Sequence, residues 1–199
     1  MTRILLAEDQ AMVRGALAAL LRLSGQFEVT EAEHGLAART LLQQQQFDLL
    51  LTDIEMPLCS GLDLALYVQQ QQLPVQVMIL TTFGRSGYVQ RALESGVRAF
   101  LLKDAPIEQL TQAISQVLQG KKVIDPELLL NALGEKDPLT EKERQALRLA
   151  GEGKTTAEIA AALYIAEGTA RNYLSEAISK LQAGNRVDAA RIARQKGWL

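Results

Sequence analysis

Four short apolar runs recur through the first part of the chain, and each ends on a polar side chain. The runs 4–7, 47–52, 75–80 and 97–102 are followed at once by Glu8 and Asp9, by Asp53, by Thr81 and by Lys103. Short, nearly continuous apolar runs suit strands buried on both faces. A weaker run covers 27–30. Between the runs lie stretches with apolar residues at helical spacing: 11–23, with Met12, Ala16, Ala19, Leu20 and Leu23 in phase, then 36–45, 62–70, 88–95 and 106–118. Gly25, Gly96 and Gly120 close three of them, as residues that accept a left-handed cap should. Pro106 suits a first helical turn. Strands alternating with helices in this way fold as an α/β doubly wound, flavodoxin-like parallel sheet of five strands, over residues 1–120.

Past residue 120 the pattern changes class. Residues 121–137 have no strong period and contain Pro126; they read mainly as a linker, with a short helix at 127–133. From 138 to 199 no strand pattern occurs and four amphipathic helices are expected. Thr140 followed by Glu143 is a capping box. Ala146, Leu147 and Ala150 form the first apolar stripe, and Ile159, Ala160 and Leu163 form the second, whose helix is capped by Thr155 or Thr156. A short turn, 164–167, leads to a longer helix from Gly168, which together make a helix-turn-helix. In that helix Ala170, Tyr173, Leu174, Ala177, Ile178 and Leu181 point inward, leaving Arg171, Asn172, Ser175 and Ser179 outside.

Charge divides along the same boundary. Residues 1–120 carry 8 Lys and Arg against 12 Asp and Glu; residues 121–199 carry 13 against 11. An acidic front and a locally basic tail suit two tasks, the second involving a polyanion. The single cysteine, Cys59, excludes an intrachain disulfide and fits a reducing cytoplasm. The single histidine, His34, reads as a surface residue before Gly35. No signal pattern opens the sequence, and no apolar stretch approaches the roughly 18 residues of a membrane span. The expectation is a cytoplasmic protein without membrane insertion.

The strand-end residues propose a chemistry. In a parallel open sheet, ligands bind at the carboxyl edge of the strands. Carboxylates can hold a hard divalent ion such as Mg²⁺, one carboxylate can attack phosphorus, and a cation with a hydroxyl can stabilise phosphoryl oxygens. Glu8, Asp9, Asp53, Thr81 and Lys103 supply those parts. On the outer face of the long helix, Arg171 and Asn172 are suited to base edges in a major groove, joined by Ser175. Thr169, Lys154, Lys180 and Arg186 are candidates for phosphate contacts.

Glu8-Asp9, Asp53 with Met56-Pro57 and Gly61, Thr81-Thr82 and Lys103 resemble, in order and spacing, the phosphorylation pocket of response-regulator receiver domains. Leu139-Thr140, Glu143, Gly153, Glu158-Ile159-Ala160, Leu163, Gly168-Thr169, Arg171-Asn172, Lys180-Leu181 and Asn185-Arg186 resemble the LuxR-type DNA-binding domain. Together the halves are similar to the NarL/FixJ class. The resemblance implies that Asp53 accepts a phosphoryl group from a sensor histidine kinase. It implies a Mg²⁺ ion held by Asp9, Asp53 and the backbone carbonyl of Glu55, with Glu8 acting through water. It implies that Lys103 bridges to the phosphoryl group, that Thr81 and Phe100 form the switch, and that a homodimer forms on phosphorylation and binds promoter DNA to regulate transcription. Phe stands where the family often has Tyr, so this switch has no hydroxyl. Met12, Leu17 and Leu21, with Ile114 and Val117, are candidates for the dimer face, and the last helix, 187–196, for pairing of the DNA-binding domains.

Two other classes compete. An aspartate-nucleophile phosphatase also uses a strand-end Asp with Mg²⁺, but needs a second acid two residues on, where this chain has Glu55 beside Pro57. A binding module indifferent to phosphorylation is the third reading.

Overall fold

A computed structural model describes residues 1–82, 84–132 and 136–199 of the chain. It divides into two compact units, the first built on Met1–Gly84 and Tyr88–Asn131, the second on Arg85–Gly87 and Ala132–Leu199.

The first unit alternates β1 (Thr2–Ala7), α1 (Ala11–Leu23), β2 (Phe27–Ala32), α2 (Gly35–Gln44), β3 (Leu49–Asp53), α3 (Gly61–Gln70), β4 (Gln76–Thr81), α4 (Ser86–Glu94), β5 (Ala99–Leu102) and α5 (Ile107–Leu118). These are followed by β6 (Val123–Ile124) and α6 (Pro126–Ala132). All the strand pairings are parallel, in the order β2-β1-β3-β4-β5-β6. Among the described residues the sheet therefore has six strands where the sequence pattern suggests five. The sixth is two residues long and pairs Ala99 with Val123 and Phe100 with Ile124, which is too short to leave a hydropathy pattern. It and α6 lie within the span read as a linker. Residue 133, the last of the short helix expected there, lies outside the described residues, as do 134 and 135 of that span.

Alternation decides what each strand residue does. Ile4, Leu6, Leu49, Leu51, Met78, Leu80, Ala99 and Leu101 turn to one face and meet Ala18 and Leu21 of α1 and Leu110, Ala113, Ile114 and Val117 of α5. Leu21, Ile114 and Val117 are completely buried there, so they cannot form the dimer face expected of them. The α1 stripe is also inverted relative to the sequence reading. Met12, Leu20 and Leu23 are exposed by 86%, 43% and 80%, with Ala16 and Ala19 beside them on the surface. Apolar residues surround most of this helix, so periodicity alone could not choose which side faces the sheet.

The second unit packs α7 (Glu141–Gly151), α8 (Thr156–Leu163), α9 (Glu167–Lys180) and α10 (Arg186–Gln195). Its core joins Leu147, Ile159, Ala170, Leu174, Ala177, Ala190 and Trp198. Thr140 and Glu143 form the expected capping box, and Thr155, not Thr156, caps α8 in a second box with Glu158. Tyr164 ends α8 in the left-handed region, with φ 54, and makes the tight turn into α9. Ala170, Leu174 and Ala177 are buried, Leu181 nearly so, and Tyr173 and Ile178 pack partly against them, as the periodicity requires.

Candidate functional site

The reversal of strand order falls between β1 and β3, which pair with each other although β2 separates them in sequence. A crevice opens beyond the strand ends at such a point. Glu8 follows β1 and is buried; Asp9 next to it is exposed. Asp53 ends β3 and is 5% exposed. Each of the three presents a carboxylate oxygen, and these oxygens all lie within 4.8 Å of one another. Lys103 follows β5 and reaches back over the same edge: its Nζ is 2.6 Å from Glu8 Oε2 and 3.2 Å from Asp53 Oδ2. Its backbone N–H donates to the Thr81 carbonyl at 2.8 Å, which pins the end of β5 to the end of β4.

The loop after β3 is held by its own backbone. The Thr52 hydroxyl donates to the Asp53 carbonyl at 2.9 Å, and Gly61 N–H donates to the Ile54 carbonyl at 3.0 Å. A Cβ on Gly61 would stand 2.0 Å from the Asp53 carbonyl oxygen, so only glycine permits this approach. Glu8 is fixed as firmly. Its Oε1 accepts from Gln10 N–H at 3.2 Å, and Arg14 donates to its carbonyl at 2.7 Å.

Burial pushes the Asp53 carboxyl up to about 6; the Glu8 charge adds to the rise and Lys103 opposes it. For the Lys103 ammonium, burial alone would lower the pKa, but the hydrogen bond to Glu8 and the charge of Asp53 leave it raised. Lys103 is thus a fixed cation at neutral pH. Two acids of a tight triad are buried with a single ammonium between them, a donor set of hard oxygens that suits Mg²⁺. A divalent cation would supply charge that favours the ionised form of Asp53 and draws phosphoryl oxygens to the site.

Thr81 is buried at the end of β4, and Phe100 is 1% exposed. Ile79 is the register partner of Phe100, and Thr81, two residues on, shares the face of Ile79. The proposed switch pair therefore lies on one side of the sheet, away from α1 and α5, with the ring already inward. A residue that the sequence reading did not single out belongs at this edge. Tyr88 of α4, 6% exposed, donates its hydroxyl to Glu55 Oε1 at 2.9 Å. The two are far apart in sequence, and no local spacing signals the contact.

In the second unit, Arg171, Asn172 and Ser175 stand exposed on α9, Arg171 pairing with Glu167 at 3.2 Å. Thr169 is half-buried in the first turn of α9, Lys154 precedes the Thr155 cap, and Arg186 opens α10. Lys180 is turned inward: its Nζ lies 2.8 Å from both oxygens of the buried Glu143 carboxylate. Burial would raise the Glu143 pKa, but Lys180 and the Thr140 N–H hold it below the usual carboxylate value.

Residues 4–115 match the family described as response regulator receiver domain, and residues 137–193 match the bacterial regulatory proteins of the luxR family. The chain belongs to the LuxR-type response regulators. This response regulator is 44% identical to the uncharacterized transcriptional regulatory protein YvfU and 42% identical to the transcriptional regulatory protein DesR, both of Bacillus subtilis (strain 168), over 100% of each chain. Among solved structures it is similar to the response regulator ChrA of a heme-sensing two-component system, with 30% identity and a TM-score of 0.55, over 99% of this chain and 98% of that one. The RcsB–DNA complex shares the fold, with a TM-score of 0.64 at 22% identity over 98% of each chain. Among the described residues of this response regulator, no helix is long and apolar enough to cross a membrane.

Proposed function

We propose that Asp53 is the phosphoacceptor of this response regulator and that its phosphorylation controls binding of the second unit to promoter DNA. Residues 1–120 act as the receiver, 121–137 as the linker and 138–199 as the DNA-binding domain, in the cytoplasm. The observation that carries the reading is a buried carboxylate held 3.2 Å from a lysine within a triad of acids, on a chain that also bears a helix-turn-helix.

A sensor histidine kinase is the donor. The Asp53 carboxylate attacks phosphorus and forms a new P–O bond as the P–N bond to the donor's histidine breaks; the electron pair stays on the histidine nitrogen. Asp9, Asp53 and the Glu55 carbonyl hold Mg²⁺, with Glu8 acting through water. Lys103 is loosely placed against Asp53 and tightly against Glu8, so it exchanges part of the Glu8 contact for a phosphoryl oxygen. Thr81 donates its hydroxyl to another oxygen, and the buried Phe100 ring packs behind it. The product biases a pre-existing receiver equilibrium toward a homodimer.

Arg171, Asn172 and Ser175 are the residues that read bases, with Thr169, Lys154 and Arg186 on phosphates. Charge places Lys180 with these phosphate contacts, but its pairing with Glu143 favours a role inside the domain. DNase footprinting of a promoter fragment with untreated protein, with acetyl phosphate and Mg²⁺, and with treated Asp53→Ala tests the reading. Treatment is expected to tighten specific binding, and Asp53→Ala to lose the gain. Equal footprints in all three samples would sink it.

A further inference from the structure

The turn that carries Glu8 and Asp9 is held by an arginine. It leaves β1 after Ala7 and enters α1 at Ala11. The Glu8 N–H donates to the Ala32 carbonyl of β2 at 3.1 Å, one residue past the end of β1. The Glu8 carbonyl accepts from Arg14 Nη1 at 2.7 Å. A peptide is planar, so fixing this carbonyl also fixes the Asp9 nitrogen and the direction in which the chain runs on to Asp9. Arg14 therefore grips the one peptide that joins the two acids.

Arg14 is itself placed from two sides. Its N–H donates to the Gln10 carbonyl at 2.9 Å, at the start of α1. Its side chain is 17% exposed, and its Nε lies 3.7 Å from Glu31 Oε2. Glu31 follows Val29 by two residues on β2, and Val29 packs in the core against α1, so Glu31 shares that side of the sheet. The other Glu31 oxygen accepts from Arg22 Nη2 at 2.9 Å, and the same nitrogen donates to the Val29 carbonyl at 2.7 Å. The guanidinium of Arg14 is a rigid fork, which lets one nitrogen face the carboxylate while another holds the carbonyl. Charge alone gives this arrangement no use at a cation site, because a guanidinium beside two acids repels a divalent ion. What it gives the site is direction.

We propose that Arg14 is a positioning residue for the cation site: by holding the Glu8 carbonyl it orients the peptide that aims the Glu8 and Asp9 side chains at Mg²⁺. Arg14 acts through the backbone and supplies no ligand to the ion. The inference rests on the phosphoacceptor reading of Asp53. Partners that orient metal ligands from outside are worth about 10- to 100-fold in metal affinity. Arg14 holds the backbone of the ligands and not their carboxylates, so its removal belongs at the lower end, about tenfold.

The test uses the full chain. Mg²⁺ binding is measured by calorimetry without a phosphodonor, and the rate of phosphorylation by acetyl phosphate is followed by intact-mass spectrometry across a Mg²⁺ series. Arg14→Met keeps an unbranched stem and removes both the charge and the donors. Loss of a nearby positive charge would by itself tighten Mg²⁺ binding, whereas loss of position weakens it, so the two effects differ in sign. Binding about tenfold weaker is expected. The half-saturating Mg²⁺ concentration should rise by the same factor, with the plateau rate near that of the wild type. Equal or tighter Mg²⁺ binding overturns the proposal. So does a plateau that stays low at saturating Mg²⁺, which marks general damage to the receiver. Arg14→Lys keeps the charge but has one nitrogen to place where arginine uses two, so it should also bind Mg²⁺ more weakly. If Arg14→Met does not fold, Arg14→Lys decides, and wild-type affinity there overturns the proposal. A wild-type chain that binds no Mg²⁺ or takes no phosphoryl group removes the phosphoacceptor reading itself, a different result from any of these.

Discussion

Asp53 is the residue at which burial and the proposed phosphoacceptor role meet. A carboxyl raised from 3.8 to about 6 keeps its proton in the folded state at a pH where the unfolded chain has lost it. The contribution of Asp53 to stability is therefore fully present below about 3.8 and is lost as pH rises through about 6. A divalent cation reverses this penalty, because it binds the ionised form and competes with the proton. Mg²⁺ should then stabilise the receiver more at about pH 7.5 than at about pH 5. With the ion at a hundredfold excess over its Kd the gain is about 2.7 kcal/mol, or roughly 10 °C in the melting temperature of a domain this size. Thermal melts with Mg²⁺ and with EDTA at both pH values check the sign. An equal shift at both would mean that the ion does not compete with the Asp53 proton. The convergence of Glu8, Asp9, Asp53 and Lys103 was legible in the sequence because each follows an apolar run, and strand ends converge in a parallel sheet. Tyr88 was not legible, because nothing local marks a hydrogen bond made between a helix and a distant loop.

At the scale of elements, the second unit is organised by Glu143. Its carboxylate caps α7 by accepting the Thr140 N–H at 2.8 Å, and it accepts from Lys180 at the far end of α9. One residue therefore sets the start of one helix and clamps the end of another. Removing it leaves Lys180 facing an emptied, mostly dry position and uncaps α7. Loss of one member of a buried pair is expensive, but the Lys180 side chain is 31% exposed and can recover water. Glu143→Ala is expected to cost about 2–4 kcal/mol once the lost cap is included. The only tryptophan in the sequence, Trp198, is 4% exposed and packs in the core of this unit, so its fluorescence follows that core in a urea titration. A midpoint unchanged from wild type would show that α7 and α9 are held by their apolar contacts only. The Thr140 and Glu143 cap could be read from the sequence because it is local; the partner 37 residues away could not. The same limit explains α1. Its apolar residues circle the helix, so only the sheet decides that Ala18 and Leu21 go in and Met12, Leu20 and Leu23 stay out.

For the whole molecule, that exposed stripe is the feature that best explains how one phosphoryl group can govern DNA affinity. A single helix-turn-helix offers few base contacts, and two of them joined in one dimer gain affinity through effective concentration, by a factor of about 10²–10⁴, without any new contact to DNA. On the proposed reading, the receiver supplies a face that pairs copies. Leu21, Ile114 and Val117 are fully committed to the core, whereas Met12 and Leu23 expose 86% and 80% of their surface on one helix, with Ala16, Ala19 and Leu20 between them. Such side chains leave water only if another surface covers them. Met12→Lys with Leu23→Lys removes no core contact and should leave the monomer folded and phosphorylated at Asp53. Under acetyl phosphate and Mg²⁺ the wild-type chain is expected to double in mass by light scattering, and the variant to remain monomeric. On DNA the variant should bind a single half-site as the wild type does but lose the tightening seen on paired half-sites. Paired-site binding that survives in a monomeric variant would shift the pairing role to the DNA-binding units, where α10 exposes Val187 beside its Asn185 cap.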